Sequence, residues 1–134
     1  MEKYASLVLR LGLTFVFTWF GLTQLSNPEP WTRLIPDFIT NMSGLSAHTF
    51  VLINGSLEIL AAALLLLGLF TRVVATLLFL HMVSIVINLG LNATGVRDIG
   101  VATACLALAC LGSSIYSLDS KRKKGGDIQA QVLL

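Results

Sequence analysis

Charged side chains are scarce: they make up 12% of the 134 residues, where a water-soluble domain carries about 25%. With so few, water is not the main solvent of this chain, and a soluble enzyme or a nucleic-acid-binding protein is excluded. Proline is limited to 3 residues, Pro28, Pro30 and Pro36, all in one stretch, so no proline interrupts the long apolar runs elsewhere. Cysteine occurs only as Cys105 and Cys110. On a helix that turns about 100° per residue these point about 140° apart, so they cannot bond to each other. The close Cys-x-x-Cys pair of a thiol–disulfide exchanger is missing, and both cysteines read as core packing. His48 and His81 fall at different depths, which disfavours a haem held between them. There is no nucleotide loop, serine-hydrolase elbow or zinc-ligand spacing, and no metal site is expected.

What the chain does have is apolar surface, with 55% hydrophobic residues. A hydrocarbon layer about 30 Å thick is crossed by about 20 helical residues, because lipid offers no partner for a free backbone N–H or C=O. Four stretches reach that length: residues 5–25, 49–69, 73–91 and 99–118. The unbroken run Leu64-Leu65-Leu66-Leu67 is unlike a barrel strand, which alternates apolar and polar residues. The expected fold class is all-α, an integral membrane four-helix antiparallel bundle formed by residues 1–118. Residues 119–134 are basic and polar apart from the last three, contain Gly125-Gly126, and are expected to be a disordered tail.

An even number of spans puts both termini on one side. Lys3, Arg72 and Lys121, Arg122, Lys123 and Lys124 share that side, while Arg33 and Arg97 lie opposite. The excess of positive charge marks it as cytoplasmic, and the basic tail also suits contact with anionic lipid. The first run is long for a secretory signal and lacks a small-residue cleavage site, so it is expected to remain as a span. Asn41-Met42-Ser43 and Asn92-Ala93-Thr94 have the form of glycosylation acceptors and are read as chance matches.

The connection between the first two spans is long for a segment with no structure of its own. Asn27-Pro28 suits a helix start, and Trp31, Leu34, Ile35 and Phe38 recur at helical spacing. A short helix lying in the outer interface is expected there, bent or ended by Pro36. It would serve as an interfacial anchor or as a lid over a cavity between the spans.

Ionisable groups inside hydrocarbon cost about 2.5–3.5 kcal/mol on insertion scales, so they face a bundle interior and find partners. On the first span, Arg10, Thr14, Thr18, Gly21 and Gln24 fall within an arc of about 120°. Asn54 and Glu58 share a face of the second span, and His81, Ser84 and Asn88 share a face of the third. At about 1.5 Å of rise per residue, Arg10 lies about 7 Å and His81 about 12 Å from the cytoplasmic ends, and Glu58 about 14 Å from the outer end. Arg97 and Asp98 open the fourth span, where Asp98 suits the first turn and Arg97 is a companion for it. If these faces meet, Gln24, Asn54, Glu58, His81, Asn88, Arg97 and Asp98 form a polar column running towards Arg10. Two readings stay open: the column hydrogen-bonds the helices together, or it is a site for a polar headgroup or a proton relay.

The order of several motifs resembles the DoxX family of small four-helix membrane proteins. These are Leu9-Arg10-Leu11-Gly12, Gly21 with Gln24, the proline-rich loop with Trp31 and Pro36, Gly55-Ser56-Leu57-Glu58, Leu67-Gly68-Leu69-Phe70-Thr71-Arg72, and Arg97-Asp98-Ile99-Gly100. The resemblance covers the chain up to about Leu118 and departs at Gln24, where many members carry lysine. It implies a bundle in a prokaryotic plasma or inner membrane and a link to quinone-dependent oxidation. The expected function is an accessory subunit of a quinone-linked redox assembly, more a partner than a catalyst on its own, with membrane lipid and a membrane protein or a second copy as partners. No cofactor site is evident in the residues themselves, and a quinone enters through the resemblance alone. An assembly, scaffold or chaperone protein is the alternative, and a small-solute or proton transporter the third.

Overall fold

Apolar segments in hydrocarbon must bond their own backbone, and the four long runs do so as helices in the computed structural model, which describes residues 1–113 and 116–132. The helices are α1 (Glu2–Ser26), α2 (Glu29–Thr32), α3 (Asp37–Ser43), α4 (Ala47–Leu67), α5 (Thr71–Leu89), α6 (Ala93–Leu111) and α7 (Leu118–Val132). Among them α1, α4, α5 and α6 are long and apolar enough to cross a membrane. The start of α1 and the start of α7 lie at one end of the bundle, the terminal end. The short helices α2 and α3 lie at the other, the loop end.

Three segments differ from the sequence expectation, each for a local reason. The helix expected from residue 99 begins at Ala93, because Asn92 caps it and accepts the Gly95 N–H at 2.9 Å; hydropathy misses a start that a cap sets. The loop holds two short helices instead of one, and Pro36 opens the second as its N-cap, with extended backbone at ψ 142°. The tail expected to be disordered is helical from Leu118 to Val132. Its first turn is tied down: the Ser117 hydroxyl accepts the Ser120 N–H at 3.1 Å. Asp119 also docks on the bundle, where its carboxylate accepts the Thr71 N–H at 3.0 Å and its own N–H reaches the Gly68 carbonyl at 3.2 Å. Composition alone does not show such docking.

The helices pack as two close pairs, α1 on α4 and α5 on α6, with slacker contact between α4 and α5. Glycine permits the first pairing. A Cβ on Gly21 would sit 2.8 Å from the Gly55 carbonyl oxygen, and one on Gly55 would sit 3.1 Å from the Gly21 carbonyl. The α4–α5 connection is only Gly68-Leu69-Phe70, with Gly68 at φ 67° and Phe70 at φ 49°.

The apolar core fills the terminal half of the bundle. Leu13 and Phe17 of α1 meet Ala62 and Leu65 of α4, Val74, Ala75 and Leu78 of α5, and Cys105 and Leu108 of α6. Outward-facing side chains on the same helices, such as Phe15, Leu60, Leu77 and Leu106, are exposed, as lipid contact requires. The loop half is hollow.

Candidate functional site

The close approach of Gly21 to Gly55 brings Gln24, one turn further along α1, against Glu58 and Asn54, which stand one turn apart on α4. Gln24 donates from Nε2 to Glu58 Oε2 at 2.9 Å. Asn54 donates from Nδ2 to Gln24 Oε1 at 2.9 Å and to Glu58 Oε1 at 3.0 Å. From α5, His81 Nε2 lies 3.2 Å from Glu58 Oε1. Three side chains from three helices thus converge on one carboxylate that is only 4% exposed. Charge-assisted hydrogen bonds of this kind are what make a buried carboxylate tolerable.

A second polar pair faces this group from α6. Asp98 is 3% exposed, and Arg97 Nε and Nη2 each lie 2.8 Å from its Oδ1. The Arg97 guanidinium rests 5.1 Å above the Phe20 ring of α1, in reach of a cation–π attraction. Phe20 meets Trp31 of α2 edge to face at 5.8 Å. This relay of contacts ties the lid segment to α1 and α6.

Between the two polar groups lies a cavity of about 440 Å³, within the usual range of small-molecule sites. Glu58, His81 and Gln24 form its deep polar part, and Trp31, Leu34, Ile35, Pro36 and Ile39 of the α2–α3 segment cover it. Ile53 and Leu57 of α4 and Ser84 and Asn88 of α5 line it while also being exposed. The cavity therefore opens sideways, through the slack α4–α5 seam, onto the face where lipid lies.

Seven of the eight site residues expected from sequence line this one cavity: Gln24, Asn54, Glu58, His81, Asn88, Arg97 and Asp98. Asp98 is not a first-turn residue, since α6 starts at Ala93 and carries it into the bundle as a buried group. Asn88 lines the cavity and donates to the Ser84 carbonyl at 2.7 Å.

Arg10 does not join them. It is buried at the terminal end, where Nη2 donates to the Tyr116 carbonyl at 2.7 Å, and the Leu13–Phe17 core separates it from Glu58. The polar face of α1 is not a continuous column: Thr14 reaches the Ala62 carbonyl at 3.5 Å instead. Phe20 and Thr94 are cavity residues that polarity alone did not single out; the Trp31 and Leu34 spacing was the signal for the lid. Cys105 is buried and Cys110 exposed, and among the described residues no three metal-ligating side chains converge.

A helical bundle hollowed at one end, with a polar group deep in its apolar interior, defines a small multi-pass membrane protein. The chain belongs to the DoxX family, whose profile matches residues 5–90. That match takes in α1 to α5 and every cavity residue named above except Thr94, Arg97 and Asp98. No curated protein and no solved structure matches the chain significantly.

Proposed function

We propose that the cavity binds the headgroup of a lipid-soluble quinone, and that the chain acts as the accessory membrane subunit of a quinone-linked redox assembly. The observation that carries this reading is the cavity's shape: polar and buried at its deep end, apolar along its walls, and open sideways between α4 and α5. A ring with two carbonyl oxygens on a long hydrocarbon tail has that distribution of polarity. Glu58 accepts from Gln24, Asn54 and His81, so His81 is held with Nε2 towards Glu58. Its Nδ1 has no hydrogen-bond partner among the described residues. Neutral His81 receives a proton at Nδ1, and protonated His81 donates one there, with Glu58 balancing the charge. The bound quinone would supply the two-electron chemistry, and a partner protein in the same membrane would hold the redox centre. The excess of Lys and Arg in the tail supports a cytoplasmic side for both termini in a cell membrane.

Trp31 lines the cavity and Trp19 faces outward at 61% exposure, so a Trp19→Phe background leaves one reporter in the site. Titration with a short-chain quinone is expected to quench Trp31 saturably, and His81→Leu is expected to weaken that binding about tenfold or more, the loss of one hydrogen bond of about 1.5 kcal/mol. Linear quenching that is the same with and without the substitution would mean simple partition into the micelle, and the reading would fail.

A scaffold role is favoured by one observation, that Gln24, Asn54 and His81 all bond to Glu58 and so tie α1, α4 and α5 together. In that case the titration shows no saturable site.

A further inference from the structure

A second cavity, of about 370 Å³, lies at the terminal end, apart from the Glu58 site. Arg72, Arg122 and Lys123 line it. Among the described residues none of the three forms an ion pair. Arg72 is held in place by α6: a Cβ on Gly112 would lie 2.6 Å from its Nε, so the bare glycine lets the guanidinium stem lie across the end of that helix. Arg122 and Lys123 come from α7, which Asp119 docks against the α4–α5 turn. Asp119 also lines the cavity, but its carboxylate already accepts the Thr71 N–H. Three cations against one engaged carboxylate leave an excess of positive charge. Thr71 adds a further sign of a missing partner: it is fully buried, lines the same cavity, and its hydroxyl has no hydrogen-bond partner among the described residues.

We propose that this cavity is a binding site for the phosphate of an anionic phospholipid. Guanidinium and ammonium groups gathered on one concavity recognise phosphate oxygens, and basic pockets at the ends of spans suit lipid headgroups. The choice of lipid over a free anion rests on the apolar neighbours. Phe70 and Val73 line the cavity and are exposed at 56% and 58%, so an acyl chain running down α5 from the cations finds apolar contact. The site lies where α5 begins, at the depth of a headgroup layer. Bound lipid would then join α7 to the α4–α5 turn and α6, and it would order the tail on the membrane surface.

The test uses the full-length protein in neutral detergent, with lipid retention read by native mass spectrometry. The probes are dioleoyl-phosphatidylglycerol, dioleoyl-phosphatidylcholine and inorganic phosphate. One phosphatidylglycerol is expected to be retained per chain, about tenfold more strongly than phosphatidylcholine. The double variant Arg122→Gln, Lys123→Gln is expected to lower that affinity about tenfold, removing two cations each felt at the membrane surface. Lys121→Gln, Lys124→Gln removes the same charge from exposed positions outside the cavity, and it is expected to change little. All four positions are exposed, so neither variant endangers the fold. Equal losses in the two double variants would mean diffuse attraction by the tail and would overturn the site, as would equal retention of the two lipids. Inorganic phosphate that displaces the lipid at low millimolar concentration supports the phosphate contacts. If it binds as tightly without any acyl chain, the phosphate contacts stand and the assignment to a lipid is overturned.

Discussion

Glu58→Ala is expected to destabilise the bundle by about 2–4 kcal/mol, more than any other single polar substitution in it. The substitution removes the acceptor of Gln24 Nε2, of Asn54 Nδ2 and of His81 Nε2 at once. Interhelical hydrogen bonds in membranes average about 0.6 kcal/mol, so the two that join Gln24 of α1 and His81 of α5 to Glu58 account for about 1 kcal/mol, and the lost Asn54 bond within α4 and the donors left dry in the interior add to that. Glu58→Gln keeps the volume but turns one acceptor oxygen into a donor, which then faces another donor, and about half the loss is expected. The decisive variant is the exchange Gln24→Glu with Glu58→Gln. It reverses the direction of the Gln24–Glu58 bond and keeps every other one, because Asn54 and His81 still meet an oxygen at both places. Stability measured by unfolding in mixed micelles should then return to within about 0.5 kcal/mol of the parent, although each single change is costly. The exchange also moves the negative charge from beside His81 to α1. Quinone quenching should therefore stay weak while the fold recovers, which separates the carboxylate's structural role from its chemical one. An exchange no more stable than the sum of its two parts would show that the network is not what holds these helices.

The fold was legible because hydrocarbon leaves so little choice. Runs of apolar residues about as long as the layer is thick must be helices, and the ends of α1, α4 and α5 fall within a few residues of where hydropathy puts them. The polar residues were legible for the same reason: Glu58 and His81 are too costly to point at lipid, so each had to face inward. Depth, however, is only one coordinate. Arg10 shares a helix face with Gln24, but they are nearly four turns apart, and the apolar Leu13 and Phe17 fill the bundle between them. A face read on a helical wheel says nothing about whether the interior alongside it is packed or hollow. Asp98 was missed as a buried group because the start of α6 depends on the Asn92 cap, a single hydrogen bond that hydropathy does not weigh. The α7 helix was missed for a similar reason. Asp119 binds the α4–α5 turn through both its carboxylate and its N–H, a tertiary contact that a polar, glycine-containing composition does not show.

Gly21→Val should part the α1–α4 pair, and its effect should reach the cavity although Gly21 does not line it. A Cβ there would lie 2.6 Å from Ile59 Cγ1, which can turn aside, and 2.8 Å from the Gly55 carbonyl oxygen, which cannot. To restore an ordinary contact of 3.4 Å or more, α1 and α4 must part, and two further methyl groups widen the gap. Overpacking of this kind costs about 1–3 kcal/mol. The separation also falls three residues from Gln24, whose 2.9 Å bond to Glu58 stretches as the helices move. Stability and quinone quenching should therefore fall together. Gly12 supplies the control on the same helix: a Cβ there meets nothing within 4 Å, and Gly12→Ala should be neutral or stabilising by up to about 1 kcal/mol, the helix propensity of alanine over glycine. The two glycines thus predict opposite signs on one helix, from the presence or absence of a single neighbouring carbonyl. If both substitutions prove equally mild in unfolding and in quenching, the α1–α4 contact is more compliant than this geometry requires, and the placing of Gln24 against Glu58 needs another cause.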